Sequence, residues 1–203
     1  MGNLVIEKEN LKEFIENLEY LKHGGNGIIF KYNDHELLKL FYHNYFDIYN
    51  NIVMNKVIEE IKEKTELEHI KKILFSNHIS SEEKIKTLIN RLNNTSCNTL
   101  FKGIITIDNY LMATILNNYQ GYDQYQEIYN SLTRQENIEI LNKVIKLVEE
   151  LIINGIYPTD IKLENIMINK SNLDVKLIDL DDNTTILTNE RDEYYRYIVT
   201  RRF

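Results

Sequence analysis

Residues 156–168 read I-Y-P-T-D-I-K-L-E-N-I-M-I, and residues 175–182 read V-K-L-I-D-L-D-D. Two carboxylates, an amide and a lysine at these spacings suit one kind of chemistry. Phosphoryl transfer needs Mg²⁺ to bridge phosphate oxygens, hard oxygen ligands to hold that cation, and a carboxylate near the attacking hydroxyl. Asp160, Asn165 and Asp179 provide those groups, and Lys162 adds a cation able to neutralise charge on the transferred phosphoryl. Asp181 and Asp182 follow directly, and three carboxylates beside a core strand repel one another unless a cation is present.

Loops do such work only when regular elements hold them in place. Before Asp160, residues Asn137 to Ile153 are apolar on nearly every face (Ile138, Leu141, Val144, Ile145, Leu151), which predicts a buried helix stopped by Asn154-Gly155. Two short β-like runs, Ile166 to Ile168 and Val175 to Ile178, flank a turn around Asn169 to Asp174. Near the N-terminus, Leu11, Phe14, Ile15, Leu18 and Leu21 recur at helical spacing behind an Asn10/Glu13 cap, predicting a first helix of about ten residues. Gly24, Gly25 and Gly27 crowd together and mark special backbone, and Ile28 to Phe30 and Leu37 to Phe41 then flank Asn33-Asp34 as a β-hairpin. Residues 48–74 read as one long helix or two consecutive ones. Ser80 and Glu83 cap a further amphipathic helix through Ile85, Leu88, Ile89 and Leu92. Gly103 to Asp108 and Tyr110 to Leu116 read as strands joined at Asp108-Asn109. Tyr122, Tyr125 and Tyr129 read as packing residues, His78 and the other histidines lack metal-ligand spacing, and Cys97 has no evident partner.

Composition bounds the function. The 203 residues are 43% hydrophobic and 27% charged, which excludes a wholly disordered or fibrous chain. With 24 Lys and Arg against 31 Asp and Glu the net charge is −7, and the absence of a basic patch excludes a general nucleic-acid binder. Apolar runs are too short to span a bilayer, and Glu7 and Glu9 stand where a signal peptide needs apolar residues, so a cytoplasmic protein with no membrane association is expected. Met1-Gly2 does not start a myristoylation motif, because Ile6 replaces the required Ser or Thr. A single cysteine leaves no intrachain disulfide and no expectation of a disulfide-linked partner.

The quoted motifs resemble those of the protein-kinase family. Asp160, Lys162 and Asn165 match its catalytic loop, in which the aspartate is the base and the asparagine ligates a metal, and Asp179 matches the metal-binding aspartate that follows a strand. Gly24-Gly25-Asn26-Gly27-Ile28-Ile29 looks like the later part of the glycine-rich loop, and Lys39 falls where the phosphate-pairing lysine would sit. The resemblance covers about residues 20–187, in the family's segment order. It implies ATP and Mg²⁺ as cofactors, Gly24, Gly25, Gly27 and Ile29 over the nucleotide, Lys39 on the phosphates, and Asn165, Asp179 and Asp181 on the metal. It implies that Glu60 orients Lys39, with Glu59 and Glu66 as alternatives. It places adenine near the backbone of Ile115, Leu116 and Asn117, with Thr114 or Ala113 lining the pocket. Departures are equally specific. Pro158-Thr159 replaces His-Arg before the aspartate, Lys22 stands at the first loop glycine, Leu180-Asp181 replaces Phe-Gly, and the 24 residues after Asp179 contain no A-P-E segment. The chain in this respect resembles minimal, truncated kinases of bacterial effectors and some phage or viral proteins, some of which a host partner activates.

The expectation is therefore an α+β, two-lobed protein-kinase-like fold, with a small antiparallel-sheet lobe carrying a helical insertion over about residues 1–117 and a reduced helical lobe over about residues 118–203. The expected function is ATP- and Mg²⁺-dependent phosphorylation of Ser or Thr on a protein substrate, with an activating or host protein as a further partner. A small-molecule kinase and a catalytically silent interaction module are the alternatives. The tail Glu190 to Phe203 is expected to form a covering helix.

Overall fold

The computed structural model describes residues 2–24, 27–41, 47–61, 82–107, 110–181 and 185–187. The chain is an α+β protein that divides into two units, Met1–Glu82 with Phe101–Asn118, and Glu83–Leu100 with Tyr119–Phe203. The segment Glu83–Leu100, expected as an insertion in the first unit, thus groups with the second. Its helix explains why: Arg91 Nη1 donates to the Gly155 carbonyl at 2.6 Å, and the Ser96 amide donates to Glu150 Oε1 at 3.0 Å.

The first unit is a six-stranded sheet. Its strands are β1 (Gly2–Val5), β2 (Glu19–Gly24), β3 (Gly27–Lys31), β4 (Glu36–Leu40), β5 (Phe101–Ile107) and β6 (Tyr110–Asn117), in the spatial order β1-β5-β6-β4-β3-β2. β1 runs parallel to β5 and every other pairing is antiparallel. Alternation along the strands sends Ile28, Phe30, Leu38, Leu40, Ala113 and Ile115 to one face. There they form the core with Leu11 and Ile15 of α1 (Leu11–Glu16) and Val53, Met54 and Val57 of α2 (Asp47–Glu60). The opposite face carries Ile29, Lys31, Leu37, Lys39, Thr114 and Leu116.

Helical spacing misled at the first helix, which ends at Glu16. Leu21 lies in β2, half-exposed at a bulge between Tyr20 and Lys22, because pairing with β3 satisfies more backbone groups than another helical turn. Tyr20 packs edge-on against Phe30 across that pair, with ring centroids 6.0 Å apart. Strand β1 had no counterpart in the sequence reading.

The second unit contains α3 (Glu82–Leu92), β7 (Asp123–Gln124), α4 (Tyr125–Ile128), α5 (Arg134–Ile153), β8 (Ile156–Pro158), β9 (Ile166–Asn169), β10 (Asp174–Leu177) and β11 (Thr185–Leu187). β9 lies between β10 and β7, and β11 pairs with β8, all antiparallel. As expected, α3 buries Ile85, Leu88, Ile89 and Leu92. Helix α5 opens on a capping box: the Glu136 amide donates to Thr133 Oγ1 at 3.2 Å, and the Thr133 amide donates to Glu136 Oε2 at 2.7 Å. The expectation that α5 is buried all round is corrected. Ile140, Val144 and Leu151 are buried, whereas Ile138, Leu141, Ile145 and Ile153 are exposed, so one stripe faces the core and a second apolar stripe does not. Among the described residues, no helix is long and apolar enough to cross a membrane. Gly25, Glu66, His78, Ser80, Asp108-Asn109, Asp182 and the tail from Glu190 lie outside the described residues.

Candidate active site

In the second unit the residues singled out from sequence come together. A short 3₁₀ turn, Leu163–Asn165, folds the chain back after Asp160, with the Asn165 amide donating to the Lys162 carbonyl at 3.0 Å. That turn aims the buried Asn165 side chain at Asp160. Nδ2 donates to the Asp160 carbonyl at 2.9 Å and to Asp160 Oδ2 at 3.2 Å. The same Oδ2 lies 2.8 Å from Lys162 Nζ. The Asn165 carbonyl accepts from the Ile178 amide at 3.0 Å, which ties the loop to the residue before Asp179. One asparagine therefore joins both motifs: its side chain holds Asp160 and its backbone holds the approach to Asp179.

Asp179 has φ 60°, in the left-handed region that costs an L-residue of order 1 kcal/mol. Asp tolerates this conformation better than most residues, and such strain concentrates at functional positions. Beyond it, Leu180 and Asp181 are buried, the Thr185 hydroxyl donates to the Asp181 carbonyl, and Thr185 stands opposite Pro158 in the β8–β11 pair. The chain after Asp179 is thus fastened to the strand that leads into Asp160.

The hydrogen bond from Lys162 to Asp160 holds its ammonium above the ordinary lysine range; partial desolvation opposes this, and the charges of Asp160, Glu164 and Asp179 add to it. Lys162 stays protonated at neutral pH and feels both motif carboxylates.

In the first unit, Ile29, Lys39 and Thr114 stand directly opposite one another across β3, β4 and β6. Lys39 is a buried ammonium-bearing residue on this face. Thr114 is 1% exposed, and its Oγ1 has no hydrogen-bond partner among the described residues, an exceptional condition for a buried hydroxyl. Leu116 shares this face, opposite Leu37, whereas Ile115 points to the core and offers only its backbone. Asn117 ends β6 opposite Glu36, and the Asn118 amide donates to the His35 carbonyl at 2.9 Å. Ala113, the alternative to Thr114, also belongs to the core face.

Gly24 pairs with Gly27 where β2 returns into β3. A Cβ on Gly27 would overlap the Leu40 carbonyl oxygen, so only glycine lets β3 approach β4 there. Glu60 is the last residue of α2 and Glu59 is exposed; the Glu60 side chain lies outside the described residues.

The donor set bears on cofactors. Mg²⁺ is usually held by one or two carboxylates together with substrate phosphates. Asn165 and Asp179 supply oxygen donors of that type. A cation caged by protein alone is not supported, because among the described residues no three His, Cys, Asp or Glu side chains gather closely enough to hold one. Asp179 and Asp181 accordingly form no three-membered cluster within that set.

Sequence reasoning missed the residues that brace this loop. Tyr122, read as packing, donates through its hydroxyl to Asp174 Oδ2 at 2.6 Å, and Gln124 Nε2 donates to the Glu164 carbonyl at 3.2 Å. Nothing in local spacing marks either, since both bonds join segments forty or more residues apart. Tyr125 is the packing residue: it is fully buried, with its ring 5.5 Å from that of Tyr129. Cys97 is buried, and desolvation pushes its thiol up to about 11, so it is protonated at neutral pH. No protein-family model matches the chain, and no curated protein matches it.

Proposed function

We propose that the chain has a two-lobed protein-kinase-like fold and transfers the γ-phosphoryl group of ATP, with Mg²⁺, to a Ser or Thr hydroxyl of a protein. One observation carries this reading: Asn165 bonds the Asp160 side chain while its backbone receives the amide before a left-handed Asp179. In this reading the base and the metal-ligand amide are hydrogen-bonded to each other beside the Lys162 cation, and a backbone bond ties them to the residue before the metal-ligand carboxylate. The row of Ile29, Lys39 and Thr114, whose hydroxyl has no partner among the described residues, on one sheet face supports a nucleotide-binding half.

In this reading Asp160 orients the acceptor hydroxyl and receives its proton as the oxygen bonds to the γ-phosphorus. The bond from that phosphorus to the β–γ bridging oxygen breaks, and ADP leaves. Lys162 balances the charge that develops on the transferred group. Asn165 and Asp179 hold the cation, which when bound neutralises phosphate charge. Gly24, Gly25 and Gly27 keep the role over the nucleotide that the resemblance implies, and Lys39 pairs with the α- and β-phosphates. Glu60, and for the metal Asp181, keep the roles that the resemblance implies. Ile161 and Leu163, exposed on either side of Lys162, favour a peptide over a small polar acceptor.

The test is transfer of labelled phosphate from γ-labelled ATP to a protein mixture and, in parallel, to a metabolite panel, by wild type and Asp160→Ala. Label on protein that disappears in the variant supports the proposal. Label on metabolites alone would assign a small-molecule kinase, and none in either would favour a binding module.

A further inference from the structure

The β9–β10 hairpin connects the two metal ligands. Asn165 immediately precedes β9 and Asp179 follows β10 by two residues, while the register Ile166↔Leu177 through Asn169↔Asp174 puts both at the open end. The spacing of those ligands therefore depends on a four-pair ladder, and a two-stranded hairpin holds its register poorly by itself.

This hairpin is gripped at several points by residues that the site does not otherwise use. At its tip, the Tyr122 hydroxyl donates to Asp174 Oδ2 at 2.6 Å and Lys176 Nζ lies 3.0 Å from the same oxygen. Lys143 Nζ of α5 donates at 2.8 Å to the carbonyl of Leu173, whose φ of 54° is left-handed. Along its edge, β7 pairs Asp123 with Ile168 and Gln124 with Met167, and Asp123 lies 3.3 Å from Lys170 Nζ. At the open end, Gln124 donates to the carbonyl of Glu164, the residue before Asn165. The six-residue segment from Tyr119 to Gln124 thus spans the hairpin from tip to ligand, and Tyr119 is itself held by ring contact with Tyr122 at 5.6 Å and by Thr99 at 3.2 Å.

We propose that Tyr122, acting through Asp174, is a positioning residue that fixes the register of the β9–β10 hairpin and hence the separation of Asn165 from Asp179. In its metal-binding consequence this rests on the function proposed above. The hydrogen bond to Asp174 and burial push the Tyr122 phenol up to about 12, so it remains a donor throughout the neutral range. Burial raises the Asp174 carboxyl, but the bonds from Tyr122 and Lys176 outweigh it and hold the group below the ordinary carboxylate range. The pair is charge-assisted at working pH.

Two readouts on the full chain separate this inference from the function. The first needs no ligand: amide exchange at Ile178, whose N–H bonds the Asn165 carbonyl. Tyr122→Phe is expected to speed that exchange about 10-fold while the strands of the first unit exchange as in wild type. The second is calorimetric titration with ATP, with and without Mg²⁺. Removing an outer support of a metal ligand costs about 10-fold or more in metal affinity, so the Mg²⁺-dependent part of the affinity is expected to fall by that factor and the Mg²⁺-free part to stay. Asp174→Asn keeps an acceptor for Tyr122 and should hold both readouts near wild type, whereas Asp174→Ala should repeat Tyr122→Phe. Unchanged exchange at Ile178 in Tyr122→Phe would overturn the proposal whatever ATP does. Faster exchange in a protein that never binds Mg²⁺ and ATP would support the brace and sink the kinase reading instead. Faster exchange with unchanged Mg²⁺-dependent affinity would overturn the positioning role.

Discussion

Replacing Asn165 by alanine removes the side chain that holds Asp160 and leaves the backbone bond toward Asp179 in place. Its Nδ2 donates to the Asp160 carbonyl at 2.9 Å and to Asp160 Oδ2 at 3.2 Å, from a position 7% exposed. A neutral hydrogen bond contributes about 1 kcal/mol and one to a carboxylate about 1.5–3 kcal/mol. The second figure must be discounted, because the Asp160 side chain is 39% exposed and water can replace the lost donor. The expected loss is about 1–2 kcal/mol, or roughly 2–8 °C in melting temperature for a chain of this size. Thermal unfolding of the ligand-free protein measures it. Exchange at Ile178 should change less than stability, since the backbone bond to Asn165 survives the substitution. A variant that melts within about 1 °C of wild type would refute the reasoning, because the two bonds would then contribute nothing to holding the loop.

Other outcomes follow from particular contacts. Gly27→Ala drives a Cβ into the Leu40 carbonyl, so a loss of about 1–3 kcal/mol in urea unfolding is expected, and an unchanged midpoint would contradict the close approach of β3 and β4. Thr133→Ala opens the capping box of α5 and should cost about 1 kcal/mol. Hydrogen bonds from the Thr133 hydroxyl and amide hold the Glu136 carboxyl below its ordinary value. That stabilisation is present above the unfolded carboxylate range and is lost as pH falls through the lower folded value, so the gap between wild type and variant should narrow in acid; a gap independent of pH would count against it. Cys97, protonated at neutral pH, should react with a disulfide reagent at pH 8 only as the protein unfolds, and rapid labelling of the native chain would show that its burial is wrong.

Much of the site was legible because its residues lie close in sequence. Asp160, Lys162 and Asn165 fall within one loop, and a 3₁₀ turn converts that spacing into contact. The β3–β4 hairpin and the paired strands β5 and β6 were legible from alternation and turn residues alone. What escaped were interactions set by tertiary pairing. Leu21 fits a helical period, yet pairing with β3 makes β2 a strand. Apolar residues all round α5 suggested burial, but Ile138, Leu141 and Ile145 face outward, and periodicity cannot say which face finds a partner. Tyr122 and Gln124 find theirs across long loops, so no local pattern distinguishes them from packing residues.

The most direct measurement is the melting temperature of wild type and Asp179→Ala with and without Mg²⁺ and ATP. A nucleotide at one hundred times its dissociation constant stabilises the folded state by about 2.7 kcal/mol, which for a chain of this size is roughly 5–11 °C. A rise of that order in wild type is expected, dependent on Mg²⁺ and reduced in Asp179→Ala. No shift in wild type at saturating ATP and Mg²⁺ would contradict the proposal that this chain forms a metal–nucleotide site by itself.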